Sequence, residues 1–138
     1  MQAVLDTNVL VSAVRSSLGA SYQLLRHVKA DSFQPIISIA LILEYEDVLS
    51  RKGLHSLSAG DIQVLLDFIV LKAKHQPIDY LWRPFLSDPK DNMVLEVAFN
   101  SAAKCIVTHN LRDFKGCEQL GIKAVTPSDF LKTLGGSL

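Results

Sequence analysis

Residues 3–8 read Ala3-Val4-Leu5-Asp6-Thr7-Asn8. Ala3-Val4-Leu5 reads as a short apolar strand that ends on an acid, and Val9 to Val14 reads as a short helix after it. The same order recurs along the chain. Tyr22 to Val28 is a helical piece, and Gln34-Pro35-Ile36-Ile37-Ser38 is a second strand. Ser38 is placed to cap a helix from about Ile39 to Ser50. Ser58-Ala59-Gly60-Asp61 resembles a capping box with Asp in place of the usual Glu, opening a helix to about Lys74. Its apolar residues, Ile62 to Leu71, cover more than one face, which implies deep burial or a partner.

Gln76-Pro77-Ile78-Asp79 offers a third strand, and a loop follows through Pro84. Pro89 begins a helix to about Ala103, and Cys105-Ile106-Val107-Thr108 is the clearest strand. A helical stretch closes at Leu120-Gly121, and Ile122 to Val125 is the last strand. Thr126-Pro127-Ser128-Asp129 starts the final helix, with a Thr cap, Pro in the first turn and an acid beyond it. Short apolar strands alternating with helices predict an α/β fold, a parallel sheet covered on both faces. Ligand sites in such sheets lie at the carboxyl ends of the strands.

The acids collect there. Asp6 follows the first strand, Asp88 and Asp91 flank Pro89, and Asp113 lies just beyond the Cys105–Thr108 strand. Glu44 lies one to two turns into the helix after the second strand. Converging carboxylates repel one another unless a positive charge sits between them, and the hard ions Mg²⁺ and Mn²⁺ prefer oxygen ligands. Each acid also has a plainer reading. Asp6 would cap the Val9 helix, Asp88 and Asp91 would complement a helix dipole, Asp113 would cap a turn, and Glu44 would be a solvated helix residue like Glu46 and Asp47.

Bulk composition narrows the classes. The chain has 138 residues, enough for one domain with its own core, and 49% of them are hydrophobic against 20% charged, which excludes disorder. We expect one domain over 1–134 and a loose tail over 135–138, which includes Gly135-Gly136-Ser137. Lys plus Arg and Asp plus Glu are 14 each, so tight non-specific nucleic-acid binding is not favoured, although acids gathered in one cleft with bases at its rim remain compatible. The N-terminus shows no signal peptide, and the longest apolar run, Ile36 to Leu43, falls far short of the ~20 residues a bilayer needs. No membrane association and a cytoplasmic location are expected. Cys105 and Cys117 suggest no disulfide framework, and with His109 they lack zinc spacing.

Four acidic blocks, taken in order, carry a resemblance. Leu5-Asp6-Thr7-Asn8-Val9-Leu10-Val11-Ser12-Ala13 resembles the opening motif of PIN-domain nucleases. Ser38 through Glu44-Tyr45-Glu46-Asp47-Val48-Leu49 is similar to their second acidic segment. Asp88-Pro89-Lys90-Asp91-Asn92 with Ala98 resembles the third, and Val107-Thr108-His109-Asn110-Leu111-Arg112-Asp113-Phe114 the fourth. Val125-Thr126-Pro127-Ser128-Asp129-Phe130-Leu131 is similar to the family's last strand and helix.

This resemblance implies a three-layer α/β/α domain with a mainly parallel central sheet, and a Mg²⁺- or Mn²⁺-dependent endoribonuclease. Single-domain members of this size are often VapC-type toxins paired with an antitoxin, and this chain looks most like them. Asp6, Glu44, Asp91 and Asp113 would then be catalytic and hold the metal, with Glu46 and Asp47 as alternatives to Glu44 and Asp88 as an extra ligand or a helix-start residue. Asn8, Thr108, Asn110, Arg112 and Lys90 would line the RNA-binding site. The family often has Arg or Gly where His109 stands, and some members have Asp where Asn110 stands, so His109 has an open role and more weight falls on Asp113. Lys115 is a further candidate for phosphate contact, and Trp82 for stacking on a base. A homodimer would pool basic surface that a neutral monomer lacks.

Two other functions are weighed. A phosphatase with an aspartyl nucleophile would need a second Asp where Asn8 stands, and the chain lacks an evident cap insertion. An inactive PIN-like module that binds a partner or RNA would draw on the apolar helix from Ile62 to Leu71.

Overall fold

The chain's computed structural model describes residues 1–80 and 85–138, so the loop reading through Pro84 and the stacking reading of Trp82 fall outside the described residues. Gln2–Leu5 forms β1, and its last three residues are buried. It is the middle strand of a five-stranded sheet with β2 (Gln34–Ile37), β3 (Lys74–His75), β4 (Cys105–Val107) and β5 (Lys123–Val125), in the order β3-β2-β1-β4-β5. Every neighbouring pair is parallel. All carboxyl ends therefore share one edge. The chain moves outward from β1 to β2 and β3, then crosses to β4 and β5, so the topology switches direction between β1 and β4. A crevice for a ligand opens at such a switch.

The helices are α1 (Thr7–Arg15), α2 (Ala20–Lys29), α3 (Ile39–Leu49), α4 (Ala59–Lys72), α5 (Pro89–Asn100) and α6 (Pro127–Thr133). They cover the sheet in a three-layer α/β/α arrangement, as the sequence pattern implies. Their starts obey local chemistry. Ser38 accepts a hydrogen bond from Leu41 N–H, and Thr126 accepts one from Asp129 N–H. Ser58 and Asp61 form both halves of the capping box, which shows that Asp serves there as well as Glu. Asp88 caps α5 and accepts from Lys90 N–H, with Pro89 at the first helical position.

Several expectations shift. The third strand is Lys74–His75 and not Gln76–Asp79. Its pairs are Ile36 with Lys74 and Ile37 with His75, and Gln76 N–H makes the last ladder bond to the Ile37 carbonyl. Pro77 has no N–H to continue it. Helix α5 stops at Asn100, where Ser101 turns extended, and Lys104 takes a positive φ of 48° before β4 begins. The helical stretch before β5 is two 3₁₀ turns, Leu111–Phe114 and Cys117–Leu120, split by Gly116 at φ 95°. On α4 a single stripe, Ile62, Leu66 and Ile69, is buried, while Val64 and Leu71 are 70% and 80% exposed. At the tail, the Gly136 carbonyl lies 2.7 Å from Nε2 of the buried His27 on α2.

One contact locks the sheet to the helix layer beside the site. Tyr45 on α3 is 1% exposed, and its hydroxyl donates to the carbonyl of Leu5, the last residue of β1. Burial holds the phenol pKa well above its usual value, and the Asp6 charge adds to the effect. Tyr45→Phe removes this buried hydrogen bond and should cost about 1–3 kcal/mol. The shift of the urea unfolding midpoint measures it; an unchanged midpoint would place the anchor of β1 elsewhere.

Candidate active site

Asp6 is the first residue past β1 and is 6% exposed. An ionised carboxylate there needs hydrogen bonds in place of water. Its Oδ2 accepts from Thr108 Oγ1 at 2.8 Å, and its Oδ1 accepts from Thr7 N–H at 2.8 Å. Thr108 stands at the matching place past β4 and is fully buried. Its hydroxyl gives its one proton to Asp6 and accepts from Asn110 N–H at 3.0 Å and from Asn8 Nδ2 at 3.4 Å. A hydroxyl has one donor and two lone pairs, so this one is saturated. Asn8 Oδ1 in turn accepts from His109 N–H at 3.2 Å, and Asn110 Nδ2 donates to Asp113 Oδ2 at 2.9 Å. One network thus runs from Asp6 through Thr108, Asn8 and Asn110 to Asp113.

Helix α5 brings Asp88 and Asp91 to the same edge. The buried Asn92 fixes its start: Oδ1 accepts from Leu86 N–H at 2.8 Å and Nδ2 donates to the Leu86 carbonyl at 3.0 Å. Burial raises the pKa of Asp6, the hydrogen bonds from Thr108 and Thr7 oppose the rise, and the charges of Asp113 and Asp88 add to it. Asp91 is raised from 3.8 to about 7, by burial first and then by the charges of Asp6, Asp113 and Asp88. An acid in the first turn of a helix gains roughly 0.3–1 kcal/mol from the dipole, which should lower its pKa. Here burial and repulsion outweigh that gain. Asp6, Asp88, Asp91 and Asp113 therefore form one electrostatic group.

Glu44 is held differently. Its side chain is 12% exposed and pairs with Lys90 Nζ at 3.6 Å. Its charge is not among the causes that raise Asp6 or Asp91. The neighbouring acids on α3, Glu46 and Asp47, are exposed, and Asp47 pairs with Arg51. Arg112 and Lys115 are exposed around the 3₁₀ turn that carries Asp113. Sequence reasoning placed Asn92 and Tyr45 within two of the acidic segments but did not foresee these contacts. A buried-amide partner and a hydroxyl reaching a strand-end carbonyl are contacts between distant segments, with no local signature.

The donor set fits a hard divalent cation. All four coupled groups are carboxylates, and their mutual repulsion is what such an ion relieves. Among the described residues, no three His, Cys, Asp or Glu side chains come together as a ready-made metal-holding group.

The Asp91 shift has a pH consequence. Its folded pKa of about 7 lies above the 3.8 of an unperturbed carboxyl. Between these values the folded chain holds a proton that the unfolded chain has lost, so stability falls as pH rises through this window. Metal-free Asp91→Asn should therefore match wild type at low pH and be at least as stable at about pH 8. Thermal melts across the window test this; a variant much weaker at high pH would make Asp91 a structural cap.

No curated protein matches the chain closely enough to count as a relative. A family model described as PIN domain matches residues 2–112, well over half of the 138-residue chain. The match covers β1 through β4 with Asp6, Glu44, Asp88, Asp91 and Thr108, and ends one residue before Asp113. With its parallel sheet and its acids at the switch between β1 and β4, the chain belongs to the PIN-domain family, whose members are generally nucleases.

Proposed function

We propose that this chain is a metal-dependent endoribonuclease that hydrolyses RNA phosphodiester bonds in the cytoplasm and acts as the toxin of a toxin–antitoxin pair. The observation that carries the reading is the coupled set of carboxylates at the sheet's switch point, with Asp91 raised to about 7 by burial and then by the charges of Asp6, Asp113 and Asp88. Asp6 and Asp91 would hold Mg²⁺ or Mn²⁺ directly, with Asp113 and Glu44 completing the site or holding its waters and Asp88 beside them. The ion would supply positive charge for the phosphate and lower the pKa of water.

The chain's own groups do the rest. Thr108 and the Thr7 N–H hold Asp6 in a fixed orientation, and Asn110 does the same for Asp113. Asp91 would have to be ionised to hold a cation, so binding should weaken below about pH 7. Lys90 and Arg112 are exposed at the rim and suit phosphate contact. Hydrolysis that expels the 3′-oxygen leaves a 5′-phosphate and a 3′-hydroxyl. The 2′-OH is not consumed, so a preference for RNA must come from groove contacts.

A second reading, an inactive partner-binding module, draws on the exposed Val64 and Leu71 of α4 and the groove that Tyr22, Leu25, Val64 and Phe68 line between α2 and α4. A protein partner of a toxin would use apolar surface of the same kind. Among the described residues, no helix is long and apolar enough to cross a membrane.

The decisive experiment incubates a structured RNA pool with the protein and Mg²⁺ or Mn²⁺, against EDTA, beside an identically prepared Asp6→Ala/Asp91→Asn variant. Cleavage only by wild type, only with metal, and with 5′-phosphate ends is expected. Equal cleavage by both proteins, or none by either, would remove the nuclease reading. Induced expression in a bacterial host should arrest growth for wild type and not for the variant; growth of both would remove the toxin role alone.

A further inference from the structure

Thr108 and Asn110 hold acids through their side chains, whereas the exposed His109 ring has no acidic partner among the described residues. Its Nε2 instead lies 2.8 Å from the hydroxyl of Ser21, a residue 88 positions away on α2. Ser21 is 1% exposed. A hydroxyl buried that deeply is costly without a partner, and His109 provides one. Ser21 also stands on firm ground, because α2 packs through the buried Leu24 and Val28 and is tied to Gly136 by His27.

We propose that Ser21 and His109 form a positioning pair that sets the orientation of the loop, and through it of Asn8, Asn110 and the acids they touch; this rests on the nuclease reading. The route is explicit. The Thr108 N–H is fixed by the β5 carbonyl of Val125, which anchors the loop at one end. The next peptide donates its His109 N–H to Asn8 Oδ1, so the rotation of that peptide decides how Asn8 presents its amide to Thr108. The following peptide donates to Thr108 Oγ1, and the Asn110 side chain holds Asp113. Ser21 clamps the imidazole between these two peptides. Among the described residues the pair makes no hydrogen bond to an acid, and it acts through the loop.

The test compares wild type with Ser21→Ala, His109→Ala, the double variant and His109→Gln. Ser21→Ala suits a helix, and His109 is exposed, so both should fold. Cleavage kinetics on a single-stranded RNA with Mn²⁺ are read beside the side-chain amide NMR signals of Asn8 and Asn110 in metal-free protein. Each single variant should lose roughly 10–100-fold in kcat, as partners that orient active groups do, with little change in KM. The double variant should be no worse than the weaker single, because the two act as one unit. His109→Gln, which keeps a hydrogen-bonding group at similar reach, should recover much of the loss, and the amide signals should move together in the Ala variants. Additive losses, a change confined to KM, or unmoved amide signals would overturn the pair. Should wild type not cleave at all, the amide signals alone decide: movement keeps the pair and removes the nuclease reading, and stillness overturns the pair.

Discussion

Burying a carboxylate at the end of a central strand imposes a demand that much of this architecture answers. Asp6 has lost nearly all of its water, and it is held by a hydroxyl from the end of β4 and an amide from the start of α1. For Thr108 to reach it, β4 must lie beside β1 in parallel, with Leu5 opposite Val107. That pairing puts the topological switch directly at the acid. The saturated Thr108 hydroxyl then recruits Asn8 and Asn110, and Asn110 recruits Asp113. Sheet order, loop conformation and the assembly of the acids are thus linked through one side chain that carries no charge.

The parts legible in the sequence are those set by local chemistry. Caps act within three residues of chain, so Ser38, Ser58 with Asp61, Asp88 and Thr126 can be read directly, and each marks a helix start in the structure. The apolar runs that end on Asp6 and Thr108 disclose both the strands and their functional edge. Distance along the chain hides the rest. Nothing near Glu44 announces Lys90, and nothing near Ser21 announces His109. The third strand was hidden for a different reason: it is only two residues long, and the apolar signal of Pro77-Ile78 lies beyond the point where proline ends the ladder.

Net charge is a poor guide to this molecule. The 14 acids and 14 bases cancel in sum, but not in space. Asp47 with Arg51, Asp31 with Lys72 and Asp129 with Lys132 pair on the surface, where such contacts contribute little to stability. The carboxylates at the switch point are left to one another, and their charges add to the burial that raises the pKa of Asp91. A chain that is neutral overall can therefore concentrate strong negative potential in one crevice.

The two outer strands carry a consequence for how copies of the chain can meet. Exposed strand edges are templates for sheet extension, and thereby for aggregation. Here one edge is the two-residue β3, halted by Pro77, and the other is the three-residue β5, followed at once by Thr126-Pro127 and α6. Among the described residues, both edges are short templates for a foreign strand. Short edges of this kind disfavour edge-to-edge growth, so a contact between copies would fall to the helical faces, where it depends on side chains and can be made selective.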